Sequence, residues 1–159
     1  MDTLFTWIEA TSFSTWLRES PSLWVFPFVL ILHTVGLAFF VGANVAWDVR
    51  VLGFSAGIPL DVLRRYFIVM WAGFWVNAFS GVLLLIAYPT KALTNPLFYV
   101  KLGLIAAALL GLRWMRRNVF GSVLPENAKR VALMSVIAWA GAIFAGRWLA
   151  YTYIRLMTT

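Results

Sequence analysis

Three ionisable side chains lie inside apolar stretches of this 159-residue chain: His33, Lys101 and Arg147. An ionisable group inside a membrane-spanning helix is costly to place, so each one marks a candidate functional site. Imidazole binds metal ions or carries protons, whereas lysine and arginine bind carboxylate and phosphate groups. His33 is the only histidine and cysteine is absent, so one chain cannot build a bis-histidine or thiolate metal site.

The elements that must position these side chains are apolar helices. Hydrophobic residues make up 62% of the chain and charged residues 12%, and several apolar stretches approach the roughly 20 residues that span a bilayer as a helix. The sequence predicts an all-α integral membrane four-helix bundle that forms one domain over residues 1–159. Residues 3–19 mix apolar and charged residues, which is typical of an interfacial helix. The predicted spans are about 23–47, 67–88, 97–115 and 131–153.

Charge predicts the orientation of the chain. The net charge is +7, but the basic residues cluster at span ends, which favours a topology signal over binding of nucleic acid. Most of the basic residues lie in the first and third loops, so both termini are predicted to lie outside the cytoplasm. We expect a multi-pass protein of the bacterial inner membrane, in contact with the lipid bilayer and with further copies of itself or another membrane protein.

Depth along each helix brings the ionisable residues together. At a rise of about 1.5 Å per residue, His33 lies about 15 Å from the outer end of its span, Lys101 about 6 Å and Arg147 about 9 Å. Asn77 lies near mid-depth in the second span. Because no carboxylate falls within the outer half of any span, the sequence predicts a cationic pocket there.

A flat ligand that carries carboxylates would match such a pocket. The imidazole of His33 would bind iron as the metal ligand, and Lys101 and Arg147 would pair with propionates. Phe40 or Trp75 would lie against the ring, so the predicted cofactor is haem b. Two simpler interpretations stay open: His33 could bond a backbone carbonyl and join two helices, and Lys101 could extend to the membrane surface.

A second polar group lies at the other membrane boundary. Asp48 and Arg50 end the first span, and a carboxylate there can pair with Arg113 near the end of the third span. The sequence therefore predicts a structural ion pair among Asp48, Arg50 and Arg113.

The same residues carry a family resemblance. The chain resembles a group of small bacterial membrane proteins of unknown function in the order of residues Leu17-Arg18, Pro27, His33, Gly36, Gly42, Asp48-Val49-Arg50, Gly53, Pro96, Lys101-Leu102 and Gly146-Arg147. It is more distantly similar to the HemJ-type protoporphyrinogen oxidases, through His33 and Phe98-Tyr99-Val100-Lys101-Leu102. That similarity implies a porphyrin-associated histidine and lysine, although the chain lacks a second histidine.

Three functions follow as alternatives. The first is a membrane haem or porphyrin protein used in electron transfer or porphyrin oxidation. The second is a non-catalytic accessory subunit of a larger membrane complex, to which nine Trp and 13 Phe would supply contact surface. The third is a small proton-coupled transporter with His33 as the titrating group. A soluble enzyme is excluded, because no nucleotide-binding loop or catalytic triad is present.

Overall fold

The computed structural model describes residues 2–22, 24–54, 57–119 and 124–156. Within these ranges the chain forms α-helices and no strand. In chain order, the helices are α1 (Asp2–Glu9), α2 (Ser12–Glu19), α3 (Val25–Leu52), α4 (Leu60–Arg64), α5 (Tyr66–Ala87), α6 (Pro89–Leu93), α7 (Pro96–Asn118) and α8 (Ala128–Leu156).

Four helical segments are long and apolar enough to cross a membrane: α3, a segment from Val62 in α4 to the end of α5, α7, and α8 as far as Thr152. The prediction of an all-α membrane bundle with four spans is therefore confirmed. The helices differ from the predicted spans at their ends, since α3 continues to Leu52 and α7 to Asn118. Leu23, where the first span was predicted to begin, lies outside the described residues.

The N-terminal segment forms two helices where the sequence predicts one over residues 3–19. Thr11 separates them, because its hydroxyl accepts a hydrogen bond from the Ser14 backbone N–H at 3.3 Å and so caps the start of α2. Both helices pack at the end of the bundle where α5 ends. The guanidinium of Arg18 joins them to α5 by donating to the carbonyl oxygens of Glu9 and Ala87, each at 2.9 Å.

Local signals end α3 and begin α7. Gly53 ends α3 with φ of +109°, a left-handed conformation that glycine adopts without strain, and its N–H bonds the Arg50 carbonyl at 3.2 Å. Asn95 begins α7, where its side-chain oxygen accepts from Leu97 N–H at 3.0 Å and Pro96 occupies the first turn. We call the end of the bundle at Asn95 the outer end and the end at Gly53 the inner end, after the predicted orientation.

Two glycines let α3 and α5 come into backbone contact. A Cβ atom added to Gly36 would lie 2.7 Å from the backbone nitrogen of Asn77, and one added to Gly73 would lie 2.8 Å from the nitrogen of Phe40. Small residues at a crossing allow this close approach between membrane helices. The contact fixes the height of His33 on α3 relative to Asn77 on α5.

Aromatic packing fills the centre of the bundle, where α3 also contacts α8 and α8 contacts α7. Phe40 meets the rings of Phe74 and Trp139 edge to face, with centroids 5.2 and 5.0 Å apart. On the outside of the bundle, large apolar side chains are exposed, including Ile68 at 80% and Leu110 at 68%. Such an exposed apolar surface fits contact with lipid.

Candidate functional site

A pocket of about 270 Å³ lies between α3, α7 and α8 in the outer half of the bundle, and we call it the outer pocket. It brings together the three ionisable residues that the sequence singled out, His33, Lys101 and Arg147. Its remaining lining is mostly apolar and consists of Leu30, Thr34, Leu37, Ile105, Trp139, Ala142, Ile143, Gly146 and Ala150.

His33 is held in place by α5. Its Nδ1 lies 3.1 Å from the carbonyl oxygen of Asn77 and 3.2 Å from Oγ of Ser80. The Asn77 carbonyl oxygen only accepts, which favours a proton on Nδ1, whereas Nδ2 of Asn77, 3.3 Å from the same Nδ1, would donate to it in the other tautomer. We assign the proton to Nδ1 because the carbonyl contact is the shorter of the two and the Ser80 hydroxyl already donates to the Val76 carbonyl at 2.6 Å. The lone pair then lies on Nε2, which makes no hydrogen bond within the described residues.

The side chain of Asn77 also holds the backbone of α3 at His33. Its side-chain Nδ2 donates to the backbone carbonyl of His33 at 2.8 Å, within the hydrocarbon-spanning part of α3. Gly81 leaves room for the ring, because a Cβ there would lie 3.2 Å from Cε1 of His33. Asn77 therefore positions the imidazole and does not itself line the outer pocket.

The two cations of the outer pocket come from α7 and α8. The side chain of Lys101 runs across Gly146, where an added Cβ would lie 3.5 Å from both Cε and Nζ. The guanidinium carbon of Arg147 lies 5.2 Å from the ring centroid of Tyr151, a cation–π contact at the exposed rim. Neither cation bonds a carboxylate of the described residues, so the outer pocket has an excess of positive charge.

The two aromatic residues predicted for the site occupy different positions. Phe40 is buried beneath the outer pocket and supports Trp139, which forms part of its wall. Trp75 is 67% exposed on the outer surface of α5 and does not line the pocket. The reason is helical periodicity: Trp75 is two residues from both Gly73 and Asn77, which face α3, so it points about 200° away from them.

Trp139 is the wall residue that the sequence reasoning missed. It precedes Arg147 by eight residues, with Ile143 halfway between, so all three share one face of α8. Steps of four residues from Arg147 toward the N-terminus of α8 would have identified Trp139 from the sequence. The face it defines is also the face that α8 turns toward α3.

Asp48, Arg50 and Arg113 are not brought together. Asp48 is fully buried, and neither of its carboxylate oxygens accepts a hydrogen bond within the described residues. Arg50 instead donates from Nε to the Ile58 carbonyl at 2.5 Å, and Arg113 is exposed in a groove between α5 and α7. Arg50 is two residues from Asp48 and therefore points to the opposite side of α3.

The neighbours of Asp48 are neutral polar groups of α3 and α8. Asn44, one turn away, accepts hydrogen bonds on Oδ1 from Nε1 of Trp139 and from the hydroxyl of Ser135, the latter at 3.4 Å. Nδ2 of Asn44 is buried without a hydrogen-bond partner in the described part of the chain. This inner cluster is thus incompletely hydrogen bonded, which is costly inside a membrane.

The described residues contain no group of three or more His, Asp or Glu side chains that could hold a metal ion. A metal bound in the outer pocket would therefore rely on His33 and on ligands from outside this set. The chain was compared with protein-family models, curated protein sequences and solved structures, and none of these matches it.

Proposed function

We propose that this membrane protein binds haem b or a related porphyrin in the outer pocket and takes part in electron transfer or porphyrin oxidation. The observation that carries the proposal is the contact between Nδ1 of His33 and the Asn77 carbonyl oxygen, 3.1 Å apart, which directs Nε2 away from α5. A histidine whose Nδ1 donates to a backbone carbonyl, with Nε2 left as an acceptor, has the arrangement found in metal-binding histidines.

The two positive charges near His33 match the carboxylates at the edge of a porphyrin. A porphyrin carries carboxylates, and Lys101 and Arg147 offer two cations without a described carboxylate to neutralise them. The apolar side chains of Leu37 and Ile105 would face the macrocycle. A haem bound there would supply one-electron chemistry, with His33 as the residue that would hold the iron and Lys101 and Arg147 as the cations that would pair with the propionates.

The volume of the outer pocket determines how much of a porphyrin it could enclose. About 270 Å³ is slightly below the roughly 300–1,000 Å³ of most ligand sites. The lining residues Leu30, Ile143 and Ala150 are exposed, so the pocket is open on that side. Part of the macrocycle would therefore extend past the rim toward lipid, a second copy or a partner subunit.

Residues that resemble the HemJ-type protoporphyrinogen oxidases support the same proposal. His33 and Lys101, which carry that resemblance, line one pocket although they are separated by 68 positions in the chain. Placement in the bacterial inner membrane, with both termini outside the cytoplasm, belongs to this proposal and follows from the distribution of basic residues.

Titration of haem into detergent-purified protein tests the proposal through the Soret absorption band. We expect saturable binding by the native chain and by Val35→Ala, which changes an exposed residue two positions from His33 that lies outside the outer pocket. His33→Ala should lose the band while remaining folded by circular dichroism. Equal haem spectra for the native chain and His33→Ala would overturn the role given to His33.

A further inference from the structure

A second cavity, independent of the outer pocket, lies at the inner half of the bundle between α5 and α7. This cavity has a volume of about 430 Å³, and we call it the α5–α7 groove. Its walls are apolar, with Met70, Trp71 and Phe74 on α5 facing Leu109 on α7. An adjoining cavity of about 470 Å³ continues it toward the inner end.

Arginines gather at the inner end of the α5–α7 groove. Arg113 and Arg116 line it from α7, where a spacing of three residues puts them on one face, and Arg64 lines the adjoining cavity. The guanidinium carbon of Arg116 lies 5.8 Å from the ring centroid of Phe67, which orients it over the groove. Among the side chains that the structure describes, no Asp or Glu lines either cavity.

The position of these arginines matches the depth of lipid headgroups. α7 ends at Asn118, so Arg113 and Arg116 lie within about 8 Å of the end of the helix at a rise of about 1.5 Å per residue. The apolar part of the groove runs from there toward the middle of the bundle. Phosphate is a strong partner for paired guanidinium groups, and an apolar groove accommodates an acyl chain.

From this combination we propose that the α5–α7 groove binds an anionic phospholipid. Its phosphate contacts Arg113 and Arg116, and one acyl chain lies against Met70, Phe74 and Leu109. A free phosphate would use only the inner end and would leave the apolar walls uncovered. Basic pockets between membrane helices near the inner surface bind anionic lipid headgroups on the same physical grounds.

The test uses the full chain, purified in a mild neutral detergent and depleted of lipid. Phosphatidylglycerol, phosphatidylcholine and glycerol phosphate are added separately, and bound lipid is counted by native mass spectrometry while thermal unfolding is followed. We expect phosphatidylglycerol alone to bind in a defined ratio and to raise the unfolding temperature.

Matched variants locate the site. The double variant Arg113→Gln/Arg116→Gln should lose about a hundredfold in affinity for phosphatidylglycerol, because it removes two charge-assisted hydrogen bonds that are each worth about a factor of ten. Arg117→Gln, which removes an exposed charge from the same turn but outside the groove, should bind like the native chain.

Four outcomes would overturn the proposal. Equal binding of phosphatidylcholine, whose choline neutralises its phosphate, would show that the net negative charge of the lipid is not recognised. Stabilisation by glycerol phosphate to the same extent as by phosphatidylglycerol would show that the apolar walls are not used. An equal loss in Arg117→Gln would indicate a diffuse charge effect. A second copy of the chain could cover the groove instead. Mass spectra would then show dimers that bind no phosphatidylglycerol until they dissociate, and this result would also contradict the proposal.

Discussion

Gly36 and Gly42 lie on the same helix, but the structure predicts opposite effects when each is changed to alanine. At Gly36 the new Cβ would lie 2.7 Å from Asn77 N and 2.9 Å from Gly73 O, both backbone atoms that move only if α3 and α5 separate. At Gly42 nothing lies within 4 Å of the new Cβ. Overpacking costs about 1–3 kcal/mol, whereas alanine is favoured over glycine within a helix by about 0.5–1 kcal/mol.

The expected difference between the two variants is therefore about 2 kcal/mol. Gly36→Ala should lower the free energy of unfolding by about 1–2 kcal/mol, and Gly42→Ala should raise it by about 0.5–1 kcal/mol. Unfolding in mixed detergent micelles, followed by tryptophan fluorescence, measures both values under one condition. Equal stability of the two variants would refute the backbone contact between α3 and α5 on which the position of His33 depends.

Two further substitutions test polar contacts at opposite ends of the bundle. Asp48→Asn keeps the shape of a fully buried side chain without hydrogen bonds and removes its capacity for charge, so it should raise the free energy of unfolding by about 1 kcal/mol. A loss of stability in the same micelle assay would contradict this prediction and would show that a partner, such as the Ser135 hydroxyl, stabilises the carboxyl group of Asp48. Arg18→Ala removes the donors to Glu9 O and Ala87 O and should cost about 2 kcal/mol, with earlier proteolytic cleavage in α2. Unchanged cleavage and stability would contradict the anchoring role of Arg18.

The four spans could be predicted from the sequence because the free-energy cost of polar groups in hydrocarbon constrains each helix separately. Any helix that crosses the bilayer needs about 20 consecutive apolar residues, and that requirement is visible without knowledge of neighbouring helices. Depth is also local, since each residue adds a fixed rise along its own helix. Counting depth is therefore enough to place His33, Lys101 and Arg147 in the same half of the bundle.

The rotation of each helix about its own axis, and the identity of the helices beside it, could not be predicted in the same way. Trp75 has a suitable depth for the outer pocket, yet the face of α5 that turns toward α3 is set by the contact between Gly36 and Gly73. Asp48 and Arg113 likewise lie near the inner end, but Asp48 shares the face of α3 on which Asn44 bonds Ser135 of α8, while Arg113 lines the groove beside α5. These positions depend on which helices are adjacent, and the hydropathy pattern does not indicate which helices pack together.

Absorption spectroscopy of protein purified from haem-replete membranes tests the role of His33 most directly. Oxidised and reduced spectra would be recorded for the native chain and for His33→Ala, each with and without added imidazole. We predict a Soret band and a redox-dependent shift in the native chain, loss of both in His33→Ala, and recovery when imidazole replaces the missing ligand. A native protein without the band, or a band that His33→Ala leaves unchanged, would contradict binding of haem through His33.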